Sequence, residues 1–393
     1  MRIIFFYMLL GVLTADGLMV FLTPVIVYQL TTSIEYAGLT YALWWLPRLF
    51  LIPLIGKYID DLGVRPISII SDSCKIIGCL FLLLTYFTSD LMIAISFGLV
   101  GSLISIGNSQ TLISYEKIIA LISHDREHHI NIMSRIDFLG MIIGPLIGII
   151  FIDFDYQYLI IIPCVFYFIN AIFFLFFYIR KDINNDNKNN LEEGMIFTKK
   201  FIYIISSPIL LFSIFIAIGN NIFDGLIESS GTALIDQAMS LPIKYYGFID
   251  IVAGIFGVLG TYLYSYLNQY ISRILLIIIS ISIITISSSL LVFFQSSITI
   301  FIICYAISII GKVFSGNILR LLRIEVIPIN QLASISSLMI LLNQMILPIV
   351  GGLLFFSTGE ITFIYTLMII AIGITLINGI LLVMCLKRCT ISS

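Results

Sequence analysis

Twelve stretches of this chain are each apolar over the ~20 residues that a helix needs to cross about 30 Å of hydrocarbon, and that repetition leaves few folds open. They run approximately over residues 3–29, 36–56, 66–88, 91–115, 130–152, 156–179, 205–235, 241–267, 273–294, 297–322, 331–356 and 361–386. The ten-residue alternation of a membrane barrel is missing, and backbone groups in lipid must be bonded within their own segment, so the spans are helices. Composition agrees: 60% of the 393 residues are hydrophobic and 11% are charged, too little polar surface to keep a soluble domain of this size dispersed. The expected class is an all-α membrane protein. The first run, just after Arg2, is a full span without a small-residue cleavage site, and reads as a first helix rather than a signal peptide.

Residues 181–200, rich in Asn, Asp and Lys, divide the spans six and six. The expected organisation is an N-terminal six-helix bundle over 1–180, a linker over 181–200 and a C-terminal six-helix bundle over 201–393. Lys57, Arg65, Arg126, Lys199, Arg273, Arg323, Lys387 and Arg388 fall at one set of loop ends. Glu35, Asp90, Asp153, Asp155 and Glu360 fall at the other, with Lys244 as the cation. By the positive-inside rule both termini and the linker face the cytoplasm. The abundance of Ile, Asn and Lys suggests a bacterium, hence an inner-membrane location. Asp60, Gly63 and Arg65 stand 208 positions before Asn268, Ile271 and Arg273, and PLIG at 145–148 is echoed by PIVG at 348–351. Two six-span pseudo-repeats account for these echoes, and such repeats place a site between them.

Several function classes drop out. No Walker loop, G-x-S-x-G or H-E-x-x-H is present, which argues against ATP as the energy source and against an enzyme. No basic run with interleaved aromatics points to nucleic acid. The six cysteines are scattered through apolar runs, and the three histidines share one loop, so neither a metal site, a cofactor nor a disulfide framework is expected. A monomer in a lipid bilayer is the expected state.

Ionisable groups at membrane depth are costly and mark a cavity or a partner. Near mid-span stand Asp16, Arg48, Lys75, Asp224, Glu228, Asp250 and Lys312; Asp72, Arg135, Asp137 and Arg320 lie nearer the cytoplasmic side. Asp224 and Glu228, four apart on one helical face, suit groups that take up and release a proton, as does Asp16; pairing with cations for helix packing is the alternative. Arg48, Lys75 and Lys312, with Tyr115 and Tyr305, suit an anionic small-molecule substrate, since a buried cation gains from a carboxylate ligand. Asp72 lies three residues from Lys75 and is placed to neutralise it; Arg48 and Lys312 have no such neighbour.

The segment GKYIDDLGVRP at 56–66 carries Gly56, Asp60, Gly63 and Arg65, and resembles the G-x-x-x-D-x-x-G-x-R motif between the second and third helices of the major facilitator superfamily. The resemblance implies a conformational latch in which Asp60 and Arg65 hold the outward-facing state; Arg135 and Asp137, of an R-I-D triplet, are assigned to it too. Asn268 and Ile271 depart from the motif, so the second-half latch is degraded. Gly140, Gly144, Pro145 and Gly148 are similar to the G-x-x-x-G-P-x-x-G motif of proton-coupled exporters, where small residues allow close helix packing. NIMSRIDFLGMIIGP and ISYEKIIALISHDRE are similar to ferroportins and to bacterial siderophore exporters.

The reading is a secondary transporter that works by alternating access and exports a small polycarboxylate siderophore in exchange for protons. The rivals are a multidrug exporter, a siderophore importer and ferroportin-like efflux of a divalent metal. The metal reading needs Asp16 together with Asn220 or Asn221.

Overall fold

The computed structural model describes residues 3–122, 126–176, 197–328, 332–357 and 359–391. The first bundle comprises α1 (Ile3–Thr31), α2 (Ile34–Leu62), α3 (Val64–Leu84), α4 (Asp90–Ile122), α5 (Arg126–Phe151) and α6 (Tyr156–Phe176). The second comprises α7 (Phe197–Ser206), α8 (Pro208–Ala233), α9 (Tyr246–Leu267), α10 (Arg273–Phe293), α11 (Ile298–Val326), α12 (Leu332–Gln344), α13 (Ile346–Phe355) and α14 (Ile361–Ile391). Ten stretches of described residues are long and apolar enough to cross a membrane. α2 and α5, 29 and 26 residues long, carry the charged motifs and complete the twelve. The expected linker falls outside the described residues up to position 196, and its last four residues open the short helix α7.

Local chemistry sets the breaks. Ser33 caps α2 by accepting the Tyr36 N–H at 3.2 Å, satisfying a donor left over at the helix start. Gly63, at φ 91°, turns α2 into α3 in a conformation that costs glycine little. The eleventh span is two helices because Pro348 lacks the N–H that would reach back to Gln344 and its ring crowds that carbonyl. The chain therefore bends at Met345. α8 ends in a π-helical turn over Leu234–Ala238.

Glycines let helices meet backbone to backbone. A methyl placed on Gly144 of α5 would sit 2.3 Å from the Leu18 amide nitrogen of α1, and one on Gly140 would sit 2.7 Å from the Leu13 carbonyl. Gly140, Gly144 and Gly148 all face α1 inside the first bundle. Between the bundles, a methyl on Gly351 of α13 would lie 2.5 Å from the Gly38 oxygen of α2. Gly254 and Gly257 of α9 receive Ile142 and Phe138 of α5.

The hydrophobic cores show which side is shut. At the face away from the termini one core joins both bundles, with Phe21, Tyr28 and Trp44 from the first and Phe223, Tyr246 and Leu354 from the second. At the face that carries the termini, the described residues form separate cores. One holds Phe5, Tyr115 and Phe174; others hold Phe314 and Leu382, or Leu210 and Met339. Among the described residues, the apolar core that the bundles share lies at the far face.

Tyr28 fastens the seal: its hydroxyl donates to Asp236 at 3.1 Å and accepts from the Gln237 amide at 2.8 Å. Tyr28→Phe removes both bonds, about 1 kcal/mol in favour of opening at the far face. In a cysteine-free background, a Thr23→Cys probe in the cavity is then expected to react roughly five times faster with an impermeant thiol reagent added on that side. An unchanged rate would place the seal in the apolar core alone.

Candidate functional site

Between the bundles lies a cavity of about 450 Å³, walled by α1, α2, α4, α5, α8, α9 and α11. Five carboxylates line it, Asp16, Asp137, Asp224, Glu228 and Asp250, against one cation, Arg48. Tyr41, Trp44, Trp45, Phe138, Tyr246 and Tyr305 supply aromatic faces. A second hollow, of about 510 Å³ beside Val292, Gln295 and Tyr365, has no charged side chain in its wall.

Each bundle contributes one acid–lysine pair. Lys75 of α3 donates to both carboxylate oxygens of Asp16, at 2.8 and 3.0 Å. Asp16 also accepts from Tyr167 at 2.8 Å and from the Asn108 amide at 3.1 Å. Lys312 of α11 donates to Asp224 of α8 at 2.5 Å, beside the rings of Phe223 and Tyr305. Asp16 and Asp224 stand 208 positions apart, the same offset as the Asp60–Arg65 hairpin and its echo at Asn268–Arg273. Lysines inside low-dielectric surroundings require such partners.

The unpaired groups face the same space. The Tyr41 hydroxyl of α2 donates to Glu228 of α8 at 2.7 Å, a bond between bundles. Asp250 keeps a buried carboxylate oxygen without a partner. Arg48 lies 4.7 Å from the Trp45 ring and donates to Ser105 at 3.2 Å, and its Nε has no acceptor.

Several expectations need correction or relocation. Lys75 is not neutralised by Asp72 three residues away: it crosses to Asp16, and Asp72 instead accepts from Asn170 of α6 at 2.6 Å. Lys312, expected to lack a neighbour, has Asp224. Tyr115 is fully buried in the first bundle's core, away from the cavity wall, whereas Tyr305 lines it. The structure does not bring Asn220 or Asn221 to Asp16; they bond to Thr375 and to the Asn343 carbonyl. Among the described residues no cluster of three or more His, Cys, Asp and Glu side chains is arranged to hold a metal ion. Of the latch, Gly56 and Asp60 lie outside the residues whose side chains are described. Arg65 donates to the Leu175 carbonyl within its own bundle at 2.5 Å, Arg135 lies 5.9 Å from the Tyr262 ring of α9, and Asp137 turns to the cavity. In the second half Arg273 pairs with Glu325 of α11. Tyr41, Asn108 and Tyr167 have no local sequence signal that distinguishes them from other polar residues of the spans.

The sequence matches the family described as the Major Facilitator Superfamily over residues 4–344. The chain belongs to this superfamily. As a major facilitator it is a multi-pass membrane transporter, a class without catalytic activity. No curated protein matches it in sequence. Among solved structures, this facilitator is similar to a bacterial homologue of the iron transporter ferroportin in an inward-facing state (TM-score 0.72, 17% identity, 98% of this chain and 99% of that one). It is also similar to the nucleoside transporter NupG (TM-score 0.76, 14% identity, 95% and 97%) and to a bacterial metal transporter (TM-score 0.69, 15% identity, 96% of each). At these identities the likeness is one of fold.

Proposed function

We propose that this facilitator works by alternating access and exports a small organic cation in exchange for protons, from the inner membrane of a bacterium with both termini in the cytoplasm. The observation that carries the proposal is the charge on the cavity wall: five carboxylates against one guanidinium, with both buried lysines already committed to aspartates. Asp137, Glu228 and Asp250 remain for a positive cargo or for the protons that replace it, and the aromatic faces add cation–π attraction. An apolar hollow with a few convergent polar groups is the usual form of a small-molecule site.

The same bookkeeping weakens the polycarboxylate siderophore, whose case rested on Arg48, Lys75 and Lys312 together. Lys75 is fully buried and outside the wall. Arg48, with Nε unbonded, supports an anion as the second reading, for a siderophore moving in either direction. Metal transport, named by two structural neighbours, draws less support, because Asn220 and Asn221 bond to Thr375 and to the Asn343 carbonyl instead of joining Asp16. The separate apolar cores of the described residues near the termini support loading from the cytoplasm, and Asp60 with Arg65 is assigned the latch that closes that side.

The test is flux into proteoliposomes under an imposed pH gradient, with tetraphenylphosphonium, ferric citrate or Mn²⁺ as the offered solute. Gradient-driven accumulation of tetraphenylphosphonium is expected. Glu228→Gln is expected to cut that accumulation by roughly tenfold or more while cargo-for-cargo exchange continues, since exchange moves no net proton. Accumulation of ferric citrate alone, lost in Arg48→Gln, would reverse the sign of the cargo.

A further inference from the structure

Behind the cavity wall, the first bundle holds a buried polar cluster with an unbalanced charge. Asp72 is 1% exposed and Asn170 2%. The Asn170 amide donates to one Asp72 oxygen at 2.6 Å, yet the other Asp72 oxygen and the Asn170 side-chain oxygen both lack a partner, as does the Tyr115 hydroxyl. Asp72 is faced by Asp16 of α1, Lys75 of its own helix, Tyr115 of α4, and Tyr167 and Asn170 of α6. One cation, Lys75, therefore serves two carboxylates, Asp16 and Asp72, and it sits on Asp16. With both acids ionised the cluster carries a net negative charge in surroundings where an uncompensated charge is very costly.

One proton resolves both anomalies. A carboxylic acid facing a primary amide can close a ring of two hydrogen bonds: the amide N–H donates to one acid oxygen, and the acid O–H donates to the amide oxygen. The first bond is present, and the two orphaned oxygens are those the second would join. Turning the amide over would exchange the two contacts and still leave one oxygen facing another.

We infer that Asp72 carries a proton when Lys75 is bonded to Asp16, and that Lys75 is a switch between the two carboxylates. Residues three apart on a helix are neighbours, so Lys75 reaches Asp72 by swinging its own stem. The glycine makes space for the stem against α4: a methyl on Gly107 would sit 2.2 Å from its Cε. When a cationic cargo approaches Asp16 from the cavity, the Asp72 O–H bond breaks and its proton leaves to cavity water. Lys75, still protonated, moves to Asp72, and the cargo takes its place on Asp16. The cluster is neutral before, with a protonated acid, a lysine and one carboxylate. It is neutral after, with two carboxylates, a lysine and the cargo. Cargo and proton exclude each other although they occupy different carboxylates, which is the linkage that exchange requires. The switch rests on the cation-for-proton reading; the protonated state of Asp72 does not.

Two measurements on the full chain separate these claims. In lipid at neutral pH, the infrared spectrum of the wild type minus that of Asp72→Asn is expected to show the C=O stretch of a protonated carboxyl, displaced in D₂O. Asn170→Leu, which removes the amide partner, is expected to keep the band and shift it upward. Absence of a band lost with Asp72→Asn, or no shift in Asn170→Leu, overturns the protonated Asp72 whatever the cargo proves to be. In weakly buffered detergent, tetraphenylphosphonium binding is expected to release one proton fewer from Asp72→Asn than from the wild type. Unchanged release with binding intact overturns the switch. Failure of the wild type to bind tetraphenylphosphonium refutes the cation reading and the switch with it, and the infrared result still decides the proton.

Discussion

Lys75→Met is expected to destabilise the folded protein by about 3–5 kcal/mol, because it leaves Asp16 as a buried charge without its cation. Asp16 would keep Tyr167 and Asn108 as donors, and two neutral donors do not replace an ammonium at 2.8 Å. The measurement is thermal unfolding in detergent followed by tryptophan fluorescence, Trp44 and Trp45 lying in the cavity wall. Adding Asp16→Asn to Lys75→Met is expected to recover most of the loss, since two neutral side chains leave nothing uncompensated. A single variant within 1 kcal/mol of wild type, or a double variant no better than the single, would mean that the pair contributes little to the fold.

Gly144→Val is the second large effect. The three atoms nearest to a new Cβ are all backbone of α1: the Leu18 nitrogen at 2.3 Å, the Gly17 carbonyl carbon at 2.5 Å and the Thr14 oxygen at 2.8 Å. Flexible side chains can give way to an added methyl, whereas a helix backbone moves only as a body. The cost is expected to exceed the ~1–3 kcal/mol of ordinary overpacking. Folded protein recovered from membranes should fall to roughly a tenth of wild type on that basis. Gly373→Val is the control, because a methyl there meets nothing within 4 Å. Equal yields from the two variants would remove the close α1–α5 contact as a requirement of the fold.

What the sequence made legible follows from what lipid demands of it. Span length and the six-and-six division can be read directly, since each is a one-dimensional pattern with one physical solution. Span eleven is legible as a span but not as two helices: Pro348 was noticed as an echo of Pro145, although only Pro348 has a broken helix before it. The charges at membrane depth were found because charge there is rare. Their partners were not. Lys75 has an acid three residues away and another on α1, and spacing favours the wrong one. Which acid wins depends on how α1, α3 and α6 pack, and that no local pattern encodes. The sign of the cavity turned on this point, since counting cations without their partners made the wall look basic.

The two acid–lysine pairs also carry a record of descent. If the bundles come from one duplicated six-helix ancestor, the aspartates at 16 and 224, set in the first span of each half at the shared offset, were there before the duplication. The lysines were not. Lys75 comes from the third span of its half and Lys312 from the fourth, and at the matching positions stand Ile283 and Ile104. Each half thus found its own cation for an inherited acid, from a different neighbouring helix. The present asymmetry of the two sites is the younger feature of the molecule.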